Sequence, residues 1–147
     1  MKLRHSAAIL LASMLAATAA SARDTVLHIP LADVLSMPEA KDKLDANMKF
    51  FLAGQTTPKV LQRFSTDVSN PKTNGVGKTD EFGCKWAALS ALINLQNSAK
   101  REGANAVIDI VSYYKKNEYR SATDFECHAG AIIIGVALKG TYAKIAE

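Results

Sequence analysis

The residues best suited to chemistry fall into three groups. Glu126, Cys127 and His128 are consecutive, and Asp109 lies upstream of them. Carboxylates with an imidazole can hold a transition metal, and a thiol beside an imidazole can act as a nucleophile. In "KTNGVGKTDEFGC", residues 72–84, Gly77-Lys78-Thr79 match the end of a phosphate-binding loop. In "SYYKKNEYR", the tyrosines Tyr113, Tyr114 and Tyr119 interleave with Lys115, Lys116 and Arg120. Basic residues mixed with aromatics suit single-stranded nucleic acid or another anionic polymer.

Each group can be weighed against its ordinary structural use. A phosphate-binding loop is G-x-x-x-x-G-K-S/T set between a buried strand and a helix. Here Lys72 stands where the first glycine belongs, and the preceding "TDVSNPK" is polar and broken by Pro71. No acidic partner strand is evident, so no nucleotide and no ATPase or nuclease site is expected. A metal site needs three or four converging ligands. His128, Asp109 and Glu126 are the weak candidates, and whether any metal binds stays open at this level. Cys127 and His128 are neighbours on an expected strand and so point to opposite faces, which argues against a thiol–imidazole pair. No catalytic residue, cofactor or enzymatic activity is predicted. Lys115, Lys116, Tyr119 and Arg120 remain as candidate ligand-binding residues, with an envelope anion favoured over nucleic acid.

The elements that must position these residues can be read from periodicity. Asp80 to Glu102 is helical, with Trp86, Leu89, Leu92 or Ile93, and Leu95 or Ala99 at three- and four-residue spacing. Thr79 or Asp80 can cap its N-terminus, and Gly103 suits the residue after its C-terminus. "NAVIDIVSYY", 105–114, is a strand rich in β-branched and aromatic residues. A polar hairpin follows, and "FECHAGAIIIGVAL", 125–138, reads as one long, mostly buried strand. The C-terminal half is thus helix–strand–hairpin–strand. Upstream, "DTVLHIPL" and "MKFFLAG" are short strand candidates, and "MPEAKDKLDAN" is a short helix with Pro38 near its first position. Residues 58–70 allow strand or helix, with a lean to strand, and "SNPKTNGVGK" is the most loop-like connection. The fold class expected is α+β, one main helix packed on a largely antiparallel sheet.

The chain opens "MKLRHSAAILLASMLAATAASARD". Lys2 and Arg4 precede an apolar Ala/Leu stretch, and Ala20-Ser21-Ala22 supplies the small residues of a cleavage site. This pattern is a signal peptide, residues 1–22, cleaved before Arg23. Residues 23–147 then form a single exported domain, periplasmic or secreted, with no membrane anchor. Loss of Lys2 and Arg4 lowers the formal charge from +4 to +2, so charge alone makes no case for nucleic acid.

Two cysteines in an exported chain point to a disulfide. The helix descends while the next strand climbs back, so Cys84, in the first helical turn, and Cys127, early in the following strand, belong at the same end.

"ALSALINLQNSAKREGANAVIDIVSYY" with "CHAGAIIIGVALKG" resembles the helix–GANAV–strand–strand signature of YbjQ-like domains, labelled heavy-metal-binding. It also resembles the C-terminal domain of the RcsF envelope stress sensor. "ECHAGAIIIGVALKG" with "SYYKKNE" is similar to small exported bacterial proteins carrying an excinuclease-subunit label. The resemblance spans residues 84–140. It implies an α+β envelope domain in which a disulfide is reasonable, and rings in the YbjQ-like group imply that a homo-oligomer is compatible with the fold. It carries over no catalytic residue. Unlike the stress sensor, this chain has no lipidated cysteine and only two cysteines in all.

Two functions are therefore expected. The first is a non-enzymatic periplasmic binding or interaction module, linked to envelope stress or assembly, whose partner is an envelope protein or polymer. The alternative is a metal-binding or metal-homeostasis protein.

Overall fold

The computed structural model describes residues 22–147. The expected targeting segment, apart from Ala22, lies outside the described residues. In chain order come β1 (Thr25–Pro30), α1 (Leu31–Leu35), α2 (Pro38–Lys43), β2 (Lys49–Leu52), β3 (Val60–Ser69) and β4 (Lys72–Asn74). Then follow α3 (Asp80–Glu102), β5 (Ala106–Ser112), β6 (Asp124–Ala129), β7 (Ile133–Gly135) and β8 (Leu138–Ile145). The strands form two four-stranded sheets, ordered β1-β6-β7-β4 and β2-β5-β8-β3. Every pairing is antiparallel except β2 with β5. This is an α+β fold built on one main helix.

α3 forms where the periodicity places it. Thr79 caps it, its Oγ1 accepting the Phe82 N–H at 3.2 Å, and Gly103 closes it in the left-handed conformation, φ 82°. The buried face is richer in alanine than the Trp86–Leu89–Leu92 stripe suggests. Cys84, Ala87, Ala88, Leu89, Ala91, Leu92, Leu95 and Ala99 are all buried. Small side chains let strands of both sheets and α1 approach the same helix. Leu27, Ile29, Phe125, Ala129 and Ile134 from the first sheet join this core with Val107, Ile110, Leu138 and Tyr142 from the second.

Three features differ from the sequence expectation. Residues 125–138 are not one strand, because the chain reverses after Ala129. The Gly130 N–H donates to the Ile133 carbonyl at 2.8 Å, and a Cβ on Gly130 would stand 2.9 Å from that oxygen. An apolar run gives no sign of such a turn except its glycine. The expected hairpin partners β5 and β6 lie in different sheets and form no ladder with each other. β5 pairs instead with β8, whose "LKGTYAKI" alternates in burial. Third, residues 72–74 of the loop-like connection pair with β7 as β4. Residues 60–69 form a strand, the favoured alternative for that stretch.

Candidate functional site

Side-chain alternation divides β6 into two faces. Phe125, Cys127 and Ala129 are buried toward α3, whereas Asp124, Glu126 and His128 face outward. The inward face brings Cys127 Sγ to 2.01 Å from Cys84 Sγ, with the Cα atoms 5.8 Å apart, which is disulfide geometry. Neither sulfur is left as a free nucleophile, so the thiol–imidazole arrangement does not exist here.

The outward face gathers a polar row. β1 lies antiparallel to β6 with His28 opposite Glu126. His28 Nε2 lies 3.2 Å from Glu126 Oε2, and His128 Nε2 lies 2.8 Å from Glu126 Oε1. The other ring nitrogen of His128, Nδ1, is 3.1 Å from Asp24 Oδ1. Glu126 and His128 are largely buried, their side chains 16% and 14% exposed. Glu126 thus lies within hydrogen-bond distance of one imidazole on each side, and His128 stands between two carboxylates.

Two tyrosines cover the row. Tyr114 stacks on His128, with centroids 3.8 Å apart, and Tyr119 stacks on His28 at 4.3 Å. Gly135 on β7 makes room for the first of these, since a Cβ there would meet Tyr114 Cε2 at 3.1 Å. The segment is further tied by reciprocal backbone bonds between Ser112 and Tyr119, each 2.9 Å. Ser112 Oγ, at the end of β5, also accepts the Glu126 N–H at 2.8 Å, which ties the base of the segment to β6.

Lys115 and Lys116 sit at the crest of this segment, in a 3-10 turn at Tyr114–Lys116. Both have left-handed backbones, φ 50° and 63°, which is unusual for side chains of this type. Lys115 Nζ stands 5.6 Å from the Tyr114 ring centroid. Both lysines are exposed, and among the described residues neither has a carboxylate within ion-pair distance. Arg120 is also exposed, 3.4 Å from Glu118. A shallow pocket of about 210 Å³ opens beside Lys115, lined by Asp24, Tyr114, His128 and Gly135.

Of the metal candidates, His128 and Glu126 are brought together and Asp109 is not. Asp109 belongs to β5 in the second sheet, where it is exposed and accepts from Arg63 Nη1 at 2.8 Å. The reason is the separation of β5 from β6. Sequence reasoning missed His28 and Asp24, which reach the row only through the pairing of β1 with β6. The spacing of Glu126 and His128 was the available signal, since residues two apart on a strand share a face. Among the described residues, no group of three or more His, Cys, Asp or Glu side chains is arranged to hold a metal ion.

The Gly77-Lys78-Thr79 segment serves the helix. Lys78 Nζ donates to the Asn74 carbonyl at 3.0 Å, folding back on its own loop, and Thr79 is the cap already described. The adjacent Asp80 accepts a two-pronged contact from Arg23, 2.8 and 2.9 Å, while Arg23 Nη2 also donates to the Gly130 carbonyl at 2.8 Å. The hydrogen bond from Arg23 holds the Asp80 carboxyl below its ordinary pKa. At the helix N-terminus the Phe82 N–H is taken by Thr79 Oγ1, and the Asp80 carboxylate beside it is engaged by Arg23.

No helix among the described residues is long and apolar enough to cross a membrane. Comparison with known proteins finds no matching family model, no matching curated protein and no matching solved structure.

Proposed function

We propose that this chain is a non-enzymatic binding module of the cell envelope that holds an anionic envelope polymer on its Lys115–Lys116 crest. One observation carries the reading: two exposed lysines, without carboxylate partners among the described residues, ride on left-handed backbone beside stacked rings. Such backbone costs about 1–3 kcal/mol per residue and persists where the surroundings over-determine it, commonly at binding sites. Fixing the backbone that carries two cations lowers part of the ordering cost of binding an anion. The Cys84–Cys127 geometry suits an oxidising compartment, and the signal-like opening and the resemblance to envelope domains support the same address.

The test is co-sedimentation of the mature protein with purified envelope fragments across a salt series. Binding that weakens with salt and falls about tenfold in K115E/K116E is expected, a loss equivalent to ~1.4 kcal/mol. Unchanged binding by the double variant overturns the proposal. The metal alternative would have to draw on His128, although among the described residues no side-chain group is arranged as a metal site. Stoichiometric metal in the purified protein, lost on His128→Ala, would replace the anion reading with that one.

A further inference from the structure

A further concavity shares no residue with the tyrosine-covered face. It is a groove of about 390 Å³ between α2 and the edge strand β2. Its wall is apolar: Leu35, Ala40, Leu44, Met48, Phe50 and Phe51. Phe50 and Phe51 are consecutive on β2 and point to opposite faces of the sheet, yet both remain only half-buried and both line the groove. The groove therefore wraps around the sheet edge. Leu35 is 37% exposed, so the apolar surface continues to the rim.

An extended peptide is a poor fit for this edge. A strand added to β2 would need its outward-facing backbone groups. The Leu52 N–H already donates to Gln55 Oε1 at 2.8 Å, and Gln55 Nε2 is itself anchored on the Ala122 carbonyl at 2.9 Å. With β2 only four residues long, this side chain shields the edge. The rim instead carries Lys41 and Lys49. Asp45, the acidic residue of the lining, is bound by Lys100 at 2.8 Å, and that hydrogen bond keeps its carboxyl below the ordinary value. The local balance at the mouth is positive.

We propose that this groove binds a single-chain anionic amphiphile of the fatty-acid class. The hydrocarbon chain lies on Leu35, Leu44, Met48 and the two phenylalanines, and the headgroup meets Lys41 and Lys49. An unbranched methionine beside aromatic rings adapts to a flexible chain, and the volume falls within the ~300–1,000 Å³ range of small-molecule sites.

Titration of the full mature protein with laurate below its critical micelle concentration, followed calorimetrically, tests this. Saturable binding of one laurate per chain is expected. K41E/K49E should weaken laurate about tenfold and leave lauryl alcohol unchanged, whereas Leu35→Glu should weaken both. These substitutions are at exposed or rim positions, and circular dichroism confirms that each variant is folded. Absence of saturable binding overturns the proposal, as does equal affinity of wild type and both variants for laurate. Association seen only with anionic vesicles, and not with monomeric laurate, would overturn it in favour of a membrane-surface contact.

Discussion

The two sheets lean on the same helix but are fastened to it differently. The first sheet, β1-β6-β7-β4, is joined to α3 by the Cys84–Cys127 pair as well as by apolar packing. Its outer face is polar and covered by the tyrosine segment. The second sheet, β2-β5-β8-β3, meets α3 through Val107, Ile110, Leu138 and Tyr142, with no covalent tie. Its outer face carries a small apolar cluster, Ala106, Ile108, Ala143 and Ile145, with Phe51 and Val60 packed against it. The sheet with more polar outer contacts is thus the one that carries the covalent link. A face covered by a polar, hydrogen-bonded segment gains less from apolar burial, and the cross-link adds to what that sheet has.

The largest expected effect breaks that link. The cysteines are separated by 43 positions, and in the chain-entropy model a loop of that size contributes about 4 kcal/mol. The double substitution Cys84→Ser, Cys127→Ser should cost a loss of that order, measured by urea denaturation against the oxidised parent. Native-state hydrogen exchange sharpens the comparison. Amides of Phe125 and Ile134 should lose more protection than those of Val107 and Tyr142. Equal loss in both sheets would mean that the helix and its sheets open as one unit and that the fastening is shared.

Next comes the polar row. Glu126→Ala leaves His28 and His128 without their common acceptor and should cost about 1–3 kcal/mol, a figure set by the unmade bonds of half-buried groups. The equivalent break on the second sheet, Arg63→Ala, removes an exposed ion pair and should cost no more than about 1 kcal/mol. Thermal denaturation of both variants side by side checks the ranking. A Glu126→Ala cost as small as that of Arg63→Ala would mean that the row holds no more than an exposed ion pair does, and would remove the support it gives the Lys115–Lys116 crest.

Legibility from the sequence followed the range of the interactions. α3 was readable because its cap, periodicity and closing glycine are local signals. The Cys84–Cys127 pairing was readable because both residues lie near one end of elements whose lengths are fixed by residue rise, although the route between them is a crossing of sheets and not a hairpin. The break at Gly130 was not readable, since "AGAIIIGV" is apolar on both sides of the turn. The site was half-readable: Glu126 and His128 share a face by strand period, while His28 and Asp24 arrive through the β1–β6 register, a pairing some hundred residues apart. Asp109 was assigned to the wrong neighbour for the same reason.

A pH-dependent effect belongs to the second sheet. Burial pushes the Tyr142 phenol up to about 12, and its hydroxyl donates to Asp67 Oδ2 at 3.1 Å. The unfolded chain ionises its tyrosines near ~10, so the unfolded state sheds this proton first as pH rises. The contribution of Tyr142 is therefore fully present below that value and is lost as pH climbs through about 12. Melting curves between pH 9 and 12 should show Tyr142→Phe falling less steeply than the parent. An identical slope would place the alkaline sensitivity elsewhere, including in the first sheet.

The smallest expected effect separates backbone from charge on the second sheet. Asp109 has φ 53° where the β5–β8 register shifts, so it combines a left-handed backbone with the Arg63 ion pair. Loss of the pair alone is worth ~0–1 kcal/mol. A left-handed conformation costs an ordinary L-residue roughly 1–2 kcal/mol, and glycine is free of that cost. Asp109→Gly should then leave stability within about 0.5 kcal/mol of the parent, the relief of strain offsetting the lost pair. Asp109→Ala, which loses the pair and keeps the strain, should be about 1 kcal/mol less stable than Asp109→Gly. Urea midpoints for the two variants decide it. If alanine and glycine are equivalent, the bulge exerts no backbone demand at this position, and the ion pair alone accounts for the aspartate.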